Sequence, residues 1–251
     1  MAALIARYWP DSNVHRFILE ADSVGGTLAA RWTQAHGLSW QPGLLDLASA
    51  RRELSVPLLH EYAQPLEAQV SLIAAPPVPG PVRGAVERLV PRLAGRSDDG
   101  EAMCVVVDCG RFTPDNPAVA VARSAALTLL VGRPDLEQVQ ALAPAARELE
   151  AEGCTLGLVT VGHGPYPGNE VSAAVGVPLL GQVDEDRRAA AAFVRDGFAV
   201  HRGFDRTRLA RQSKALAESV YGRCWPPPAA NGARVSPITG EFPVVGGGVH
   251  E

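Results

Sequence analysis

Lysine is almost missing from this chain. Lys214 is the only one in 251 residues, although Lys and Arg together number 23. A phosphate-binding loop of the Gly-x-x-x-x-Gly-Lys-Ser/Thr kind is therefore absent from the sequence, because its lysine has no candidate near a glycine cluster. Cysteine is scarce too: Cys104, Cys109, Cys154 and Cys224 form no C-x-x-C pair, and no pair of histidines complements them as zinc ligands. They read as free thiols, with Cys104 and Cys154 in or beside apolar strands. No run approaches eighteen apolar residues, which excludes a predicted membrane-spanning helix. Residues 1–11 lack the apolar segment of a signal peptide, so the expected location is the cytoplasm. There is no Gly-x-Ser-x-Gly elbow, no His-Glu-x-x-His and no Ser/His/Asp order to defend.

What is present is an ordinary soluble composition, 47% hydrophobic and 20% charged, with a net charge of −4. That charge gives no global attraction to nucleic acid or anionic lipid. Arginine in place of lysine, with abundant alanine, reads as a high-GC bacterial coding sequence. The length allows one large domain with a substantial core.

Strand and helix patterns alternate along most of it. Strands are expected at 14–20, 70–74, 103–108, 126–131, 156–161 and 178–183. Helices are expected at 2–9, 27–34, 44–52, 56–62, 82–93, 118–125, 136–152, 170–174, 187–195 and 206–221. This order predicts an α/β fold in three layers, with a mostly parallel sheet and helices on both faces, over residues 1–222. Residues 96–100 read as a polar loop. Residues 223–251, rich in Pro and Gly, read as a disordered tail.

Two apolar runs end in an acid and then glycine. Phe17-Ile18-Leu19-Glu20-Ala21-Asp22 leads to Gly25-Gly26, and Met103-Cys104-Val105-Val106-Val107-Asp108 leads to Gly110. A buried parallel strand is apolar on both faces and delivers its last residue to the rim of the sheet. Asp108 there is placed to meet a ligand or a metal ion, or to cap the next turn; four apolar residues ending in Asp also resemble a Walker B element, which implies a magnesium ion beside nucleotide phosphates. Asp22 has the same pair of readings: a ligand group beside glycines that admit close approach, or a turn and helix cap. Asp135 is expected to cap the helix from Leu136. His163 lies in a Gly- and Pro-rich loop, where it is a weak candidate base. Arg208, Arg211 and Lys214 recur every third position and form either a solvated helix face or a DNA-contacting stripe.

Taken in order, Leu19 to Gly26, Val105 to Gly110, Leu129 to Pro134 and Leu179 to Ala190 resemble segments of the MinD/ParA family of P-loop ATPases. These act in chromosome partitioning and in positioning cell structures. The resemblance runs from about Met1 to Tyr221. It implies ATP and Mg²⁺ as cofactors, with Asp108 on the metal and Asp22 ordering the attacking water or the metal shell. It also implies Gly110, Thr160 and Asp186 as nucleotide-binding positions, and a protein partner or homodimer. The family's opening strand and lysine loop would precede Met1. Such a mid-sheet strand buries four or five apolar side chains at roughly 1.5–3 kcal/mol each, comparable with a domain's net stability of about 5–15 kcal/mol. The expectation is therefore a start codon placed too far downstream, which in-frame translation of the upstream DNA tests. Hydrolysis is not expected of the chain as it stands. The alternative is a non-enzymatic MinD-like localisation or scaffold protein of a pilus or secretion system.

Overall fold

Alternation of side chains along the first strand decides how the layers form. In β1 (His15–Glu20), Phe17 and Leu19 face one side of the sheet and Ile18 the other, and all three are buried. A strand apolar on both faces needs helices above and below. The computed structural model, which describes residues 1–93, 102–112 and 117–224, supplies them. Residues 96–100 and 225–251, read above as loop and tail, lie outside the described residues.

Around β1 the order is α1 (Ala2–Arg7), α2 (Leu28–His36), α3 (Leu44–Ser49), α4 (Val56–Tyr62), β2 (Gln64–Glu67), β3 (Val70–Ile73) and α5 (Pro79–Leu93). Then come β4 (Met103–Asp108), α6 (Ala118–Ser124), β5 (Thr128–Gly132), α7 (Leu136–Ala151), β6 (Leu156–Val161) and α8 (Gly168–Val175). The described part closes with β7 (Leu179–Val183), α9 (Arg187–Asp196), short 3-10 turns at Gly197–Ala199 and Arg202–Arg206, and α10 (Arg208–Cys224).

The described strands form two sheets. One has the order β2-β3-β1-β4, and the other β5-β6-β7. All pairings are parallel except β2 with β3. The expected α/β architecture with a mostly parallel sheet and helices on both faces is what forms. Strand β2 was not expected. Gln64-Pro65-Leu66-Glu67 carries one large apolar residue and a proline, and proline is tolerated only because β2 is an edge. Helix α5 starts at Pro79, earlier than the apolar pattern suggested, since proline is accepted in a first helical turn.

One face of both sheets is covered together. Ile18 and Leu72 from the first and Val159 and Val183 from the second pack with Leu4 and Ile5 of α1, Trp32 of α2, Phe193 of α9 and Leu216 of α10. On the opposite face α3, α4 and α5 cover the first sheet, and α7 and α8 cover the second. Helix α6 joins those two clusters, with Val121 in one and Ala122 in the other. Trp32 anchors the shared face: it is fully buried, lies edge-on to Phe193 and Phe198 at 5.7 and 5.9 Å, and donates its indole N–H to the Phe193 carbonyl at 3.2 Å.

Candidate functional site

In an open α/β sheet, ligands bind beyond the carboxyl ends of the strands. That rim gathers the acids of β1 and β4. Glu20 and Asp108 are register partners, and the Ala21 N–H donates to the Asp108 carbonyl at 2.8 Å. Asp22 follows at once. Gly110 has φ +67°, and a Cβ there would fall inside the Asp22 carboxylate, so only glycine lets Asp22 lie against the chain after β4. The two aspartates read from the sequence are therefore brought together on one rim.

Each also makes the local bond that a turn requires. Asp108 Oδ1 accepts from the Gly110 N–H at 3.2 Å, and Asp22 Oδ1 from the Val24 N–H at 3.0 Å. The Gly25-Gly26 pair admits a close approach, and the approaching group is this chain's own backbone: a Cβ on Gly25 would meet Pro77 and Val78, and one on Gly26 would meet Ala75.

Sequence reasoning missed Glu20. Its carboxylate is buried and accepts three backbone N–H groups: Thr27 and Leu28 at 2.8 Å each on Oε1, and Ala75 at 3.1 Å on Oε2. Thr27 makes no side-chain cap for α2, so the strand residue Glu20 holds that helix end in place of the cap expected from Asp22. Burial pushes the Glu20 carboxyl above its ordinary value; the three N–H groups pull it down, and Asp108 pushes it further up. The signal was an acid at the last position of an apolar strand, just before a helix.

The Met1 backbone amine lies on the same side. Burial lowers its pKa, Asp108 opposes that, and Arg31 adds to it. Lys214 is elsewhere: with Arg7, Tyr8, Glu67, Asp205 and Arg211 it lines a separate hollow of about 420 Å³.

The second sheet supplies the other half of the rim. Thr160 is buried in β6, between Gly132 and Gln182 in register. Asp135 caps α7 by accepting from the Gln138 N–H at 2.9 Å, as expected, and Asp186, read only as a nucleotide-binding position, caps α9 by accepting from the Ala189 N–H at 3.0 Å. Asp186, His163, Glu185, Arg187 and Arg208 line a polar hollow of about 400 Å³. Arg187 holds the Glu185 carboxyl below its ordinary value. Arg208 is paired with Asp184 at 3.0 Å, and Arg211 donates to the Arg206 carbonyl at 2.6 Å. The stripe read from positions 208, 211 and 214 is thus not a free row of cations.

No model of a known family and no curated relative matches the chain. Solved structures do. A ParA family ATPase from Chlorobium tepidum TLS superposes with a TM-score of 0.70 at 18% identity, over 86% of this chain and 90% of that one. The cell-division ATPase MinD of Pyrococcus furiosus gives 0.66 at 17% identity, over 87% and 90%. A Borrelia burgdorferi protein assigned to plasmid partition and bound to AMPPNP gives 0.62 at 9% identity, over 87% and 91%.

The fold is that of the ParA/MinD ATPases.

The neighbours named above include ATPases and a protein bound to AMPPNP, and the two halves of this rim would suit a nucleotide and magnesium unequally. The acid half fits: Asp108 and Asp22 stand together beside glycine, each with oxygen to spare. The phosphate half does not fit. Among the described residues no lysine and no lysine-bearing glycine loop faces the rim, and no cluster of three His, Cys, Asp or Glu side chains is gathered to hold a metal. Among the described residues no helix is long and apolar enough to cross a membrane.

Proposed function

We propose that this chain is a ParA/MinD-type switch protein of chromosome partitioning or cell-structure positioning, in which the rim reads ATP and Mg²⁺. Asp108 positions the magnesium ion, and Asp22 orders the attacking water or the metal shell. Gly110, Thr160 and Asp186 line the nucleotide's path across the rim. The observation that carries this reading is the meeting of Asp22 with Gly110, directly after Asp108, on a fold shared with ParA and MinD structures. By itself the chain lacks the phosphate-binding lysine, so it is not expected to hydrolyse ATP.

The rim also suits a protein partner or a second copy. Several exposed large apolar residues follow or end strands at their carboxyl ends: Val24 after β1, Val78 after β3, Val131 in β5 and Leu136 just after it. Partner binding without hydrolysis, as in a localisation factor of a pilus or secretion system, is the second reading, favoured by the absent lysine. DNA contact through Arg208, Arg211 and Lys214 has little to support it, given the net charge of −4 and the pairing of Arg208 with Asp184. Calorimetry with ATP and Mg²⁺, on this chain and on one extended through its upstream reading frame, separates the readings. Binding by the extended chain that Asp108→Ala abolishes supports the switch; binding by neither supports the partner protein.

A further inference from the structure

Two histidines 45 residues apart in the sequence meet at the amino end of the first sheet, away from the rim. His15 opens β1, and His60 stands in the last turn of α4. The alternation of β1 puts His15 on the face of Phe17, the face that α4 covers with Leu58 and Leu59. His15 Nδ1 and His60 Nε2 are 3.2 Å apart, and the rings stand edge-on with their centroids at 5.1 Å. Phe17, fully buried, backs the His60 ring at 5.0 Å. His60 is exposed and His15 half-buried, so an ion from solution can reach the pair.

In the hydrogen bond between them, one ring supplies an N–H and the other a lone pair. The same spacing suits a shared ion. An imidazole nitrogen binds a transition metal at about 2.0–2.1 Å, so two nitrogens 3.2 Å apart subtend about 103° at the ion. That angle lies between the square arrangement of Cu²⁺ or Ni²⁺, about 90°, and the tetrahedral one of Zn²⁺, about 109°. A modest rotation of each ring turns both lone pairs onto the ion. The backbones that carry them are fixed. His15 lies in the β1 ladder, in register with Met103, and its N–H donates to the Ala102 carbonyl at 3.2 Å. Helix α4 is capped by Ser55, whose hydroxyl accepts from the Leu58 N–H at 3.3 Å, and is anchored by buried Leu58 and Leu59. The two ligands are thus preorganised, and little ordering remains for the ion to impose.

We propose that His15 and His60 form a two-histidine site for a divalent transition ion of the Zn²⁺, Ni²⁺ and Cu²⁺ class, with water completing its shell. Neutral imidazole suits these ions, whereas Mg²⁺ takes oxygen ligands. The site therefore differs in chemistry from the carboxylates Asp22 and Asp108. It differs in place as well: the length of β1, roughly 17 Å, separates His15 from Glu20 at the rim. The bound ion ties the last turn of α4 to the first residue of β1. Among the described residues no third His, Cys, Asp or Glu side chain is gathered with the pair, so affinity rests on both imidazoles together. The site needs no nucleotide and stands or falls apart from ATP binding.

Calorimetric titration of the tag-free full chain with Zn²⁺, Ni²⁺ and Mg²⁺ tests it without ATP. One equivalent of Zn²⁺ or Ni²⁺ should bind, and Mg²⁺ should not compete for it. Because the two ligands act as a chelate, His15→Gln and His60→Gln should each weaken binding by about a hundredfold, while His201→Gln leaves it unchanged. Imidazole nitrogen NMR of the wild-type chain gives a readout that does not depend on a variant folding: Zn²⁺ should move the His15 Nδ1 and His60 Nε2 resonances and leave those of His163 and His201 in place. The proposal is overturned if the wild-type chain takes up neither ion, or if Zn²⁺ shifts only other histidines. It is equally overturned if binding survives both variants, or is lost only when the cysteines are alkylated.

Discussion

Replacing Glu20 probes the rim from its most buried acid. In Glu20→Ala three backbone N–H groups, those of Thr27, Leu28 and Ala75, lose their acceptor together. An orphaned buried donor costs about 1–3 kcal/mol, which sets a ceiling of about 9 kcal/mol. The Thr27 and Leu28 amides are only partly buried and regain water, so the expected loss is about 3–5 kcal/mol. Glu20→Gln keeps an oxygen for Thr27 and Leu28 but turns an NH₂ toward the Ala75 N–H, so its cost is smaller, about 1–3 kcal/mol. The pH dependence gives a second readout. Because burial raises the folded carboxyl pKa above the ordinary 4.5, the stability linked to protonated Glu20 is full below that value and fades as pH rises through the folded pKa. Urea unfolding from pH 4.5 upward should thus show the wild-type advantage over Glu20→Gln shrinking. A difference flat with pH, or a Glu20→Ala loss under about 1 kcal/mol, would refute the reasoning.

Other perturbations test the packing around the same frame. Trp32→Ala removes a fully buried ring from the face shared by both sheets and should cost about 3–5 kcal/mol in chemical denaturation. Gly110→Ala forces a side chain into φ +67° and into the Asp22 carboxylate; a loss of about 1–3 kcal/mol by thermal melting is expected, and an unchanged melt would show that Asp22 does not need that space. Burial holds Cys104 and Cys109 up to about 12, so at pH 8 both should alkylate with iodoacetamide far more slowly in the folded chain than in urea, read by mass spectrometry.

Local pattern and tertiary placement divided the protein between them. The apolar runs at β1, β4 and β6 and the cap at Asp135 were legible because each depends on residues within a few positions of itself. The α/β layering followed, since strands apolar on both faces must be covered twice. The meeting of Asp22 with Gly110 could be guessed only from order along the chain; the parallel register of β1 and β4 made it real. Nothing local revealed that Glu20 would hold α2, that Gly25-Gly26 would press on the chain's own backbone, or that β2 would form from a proline-bearing edge. Those depend on which strand lies beside which. The division of the described strands into two sheets is of the same kind: a hydrogen-bond edge is left open or closed by its neighbour in space, and β4 carries no mark in its own residues that, among the described strands, β1 alone pairs with it.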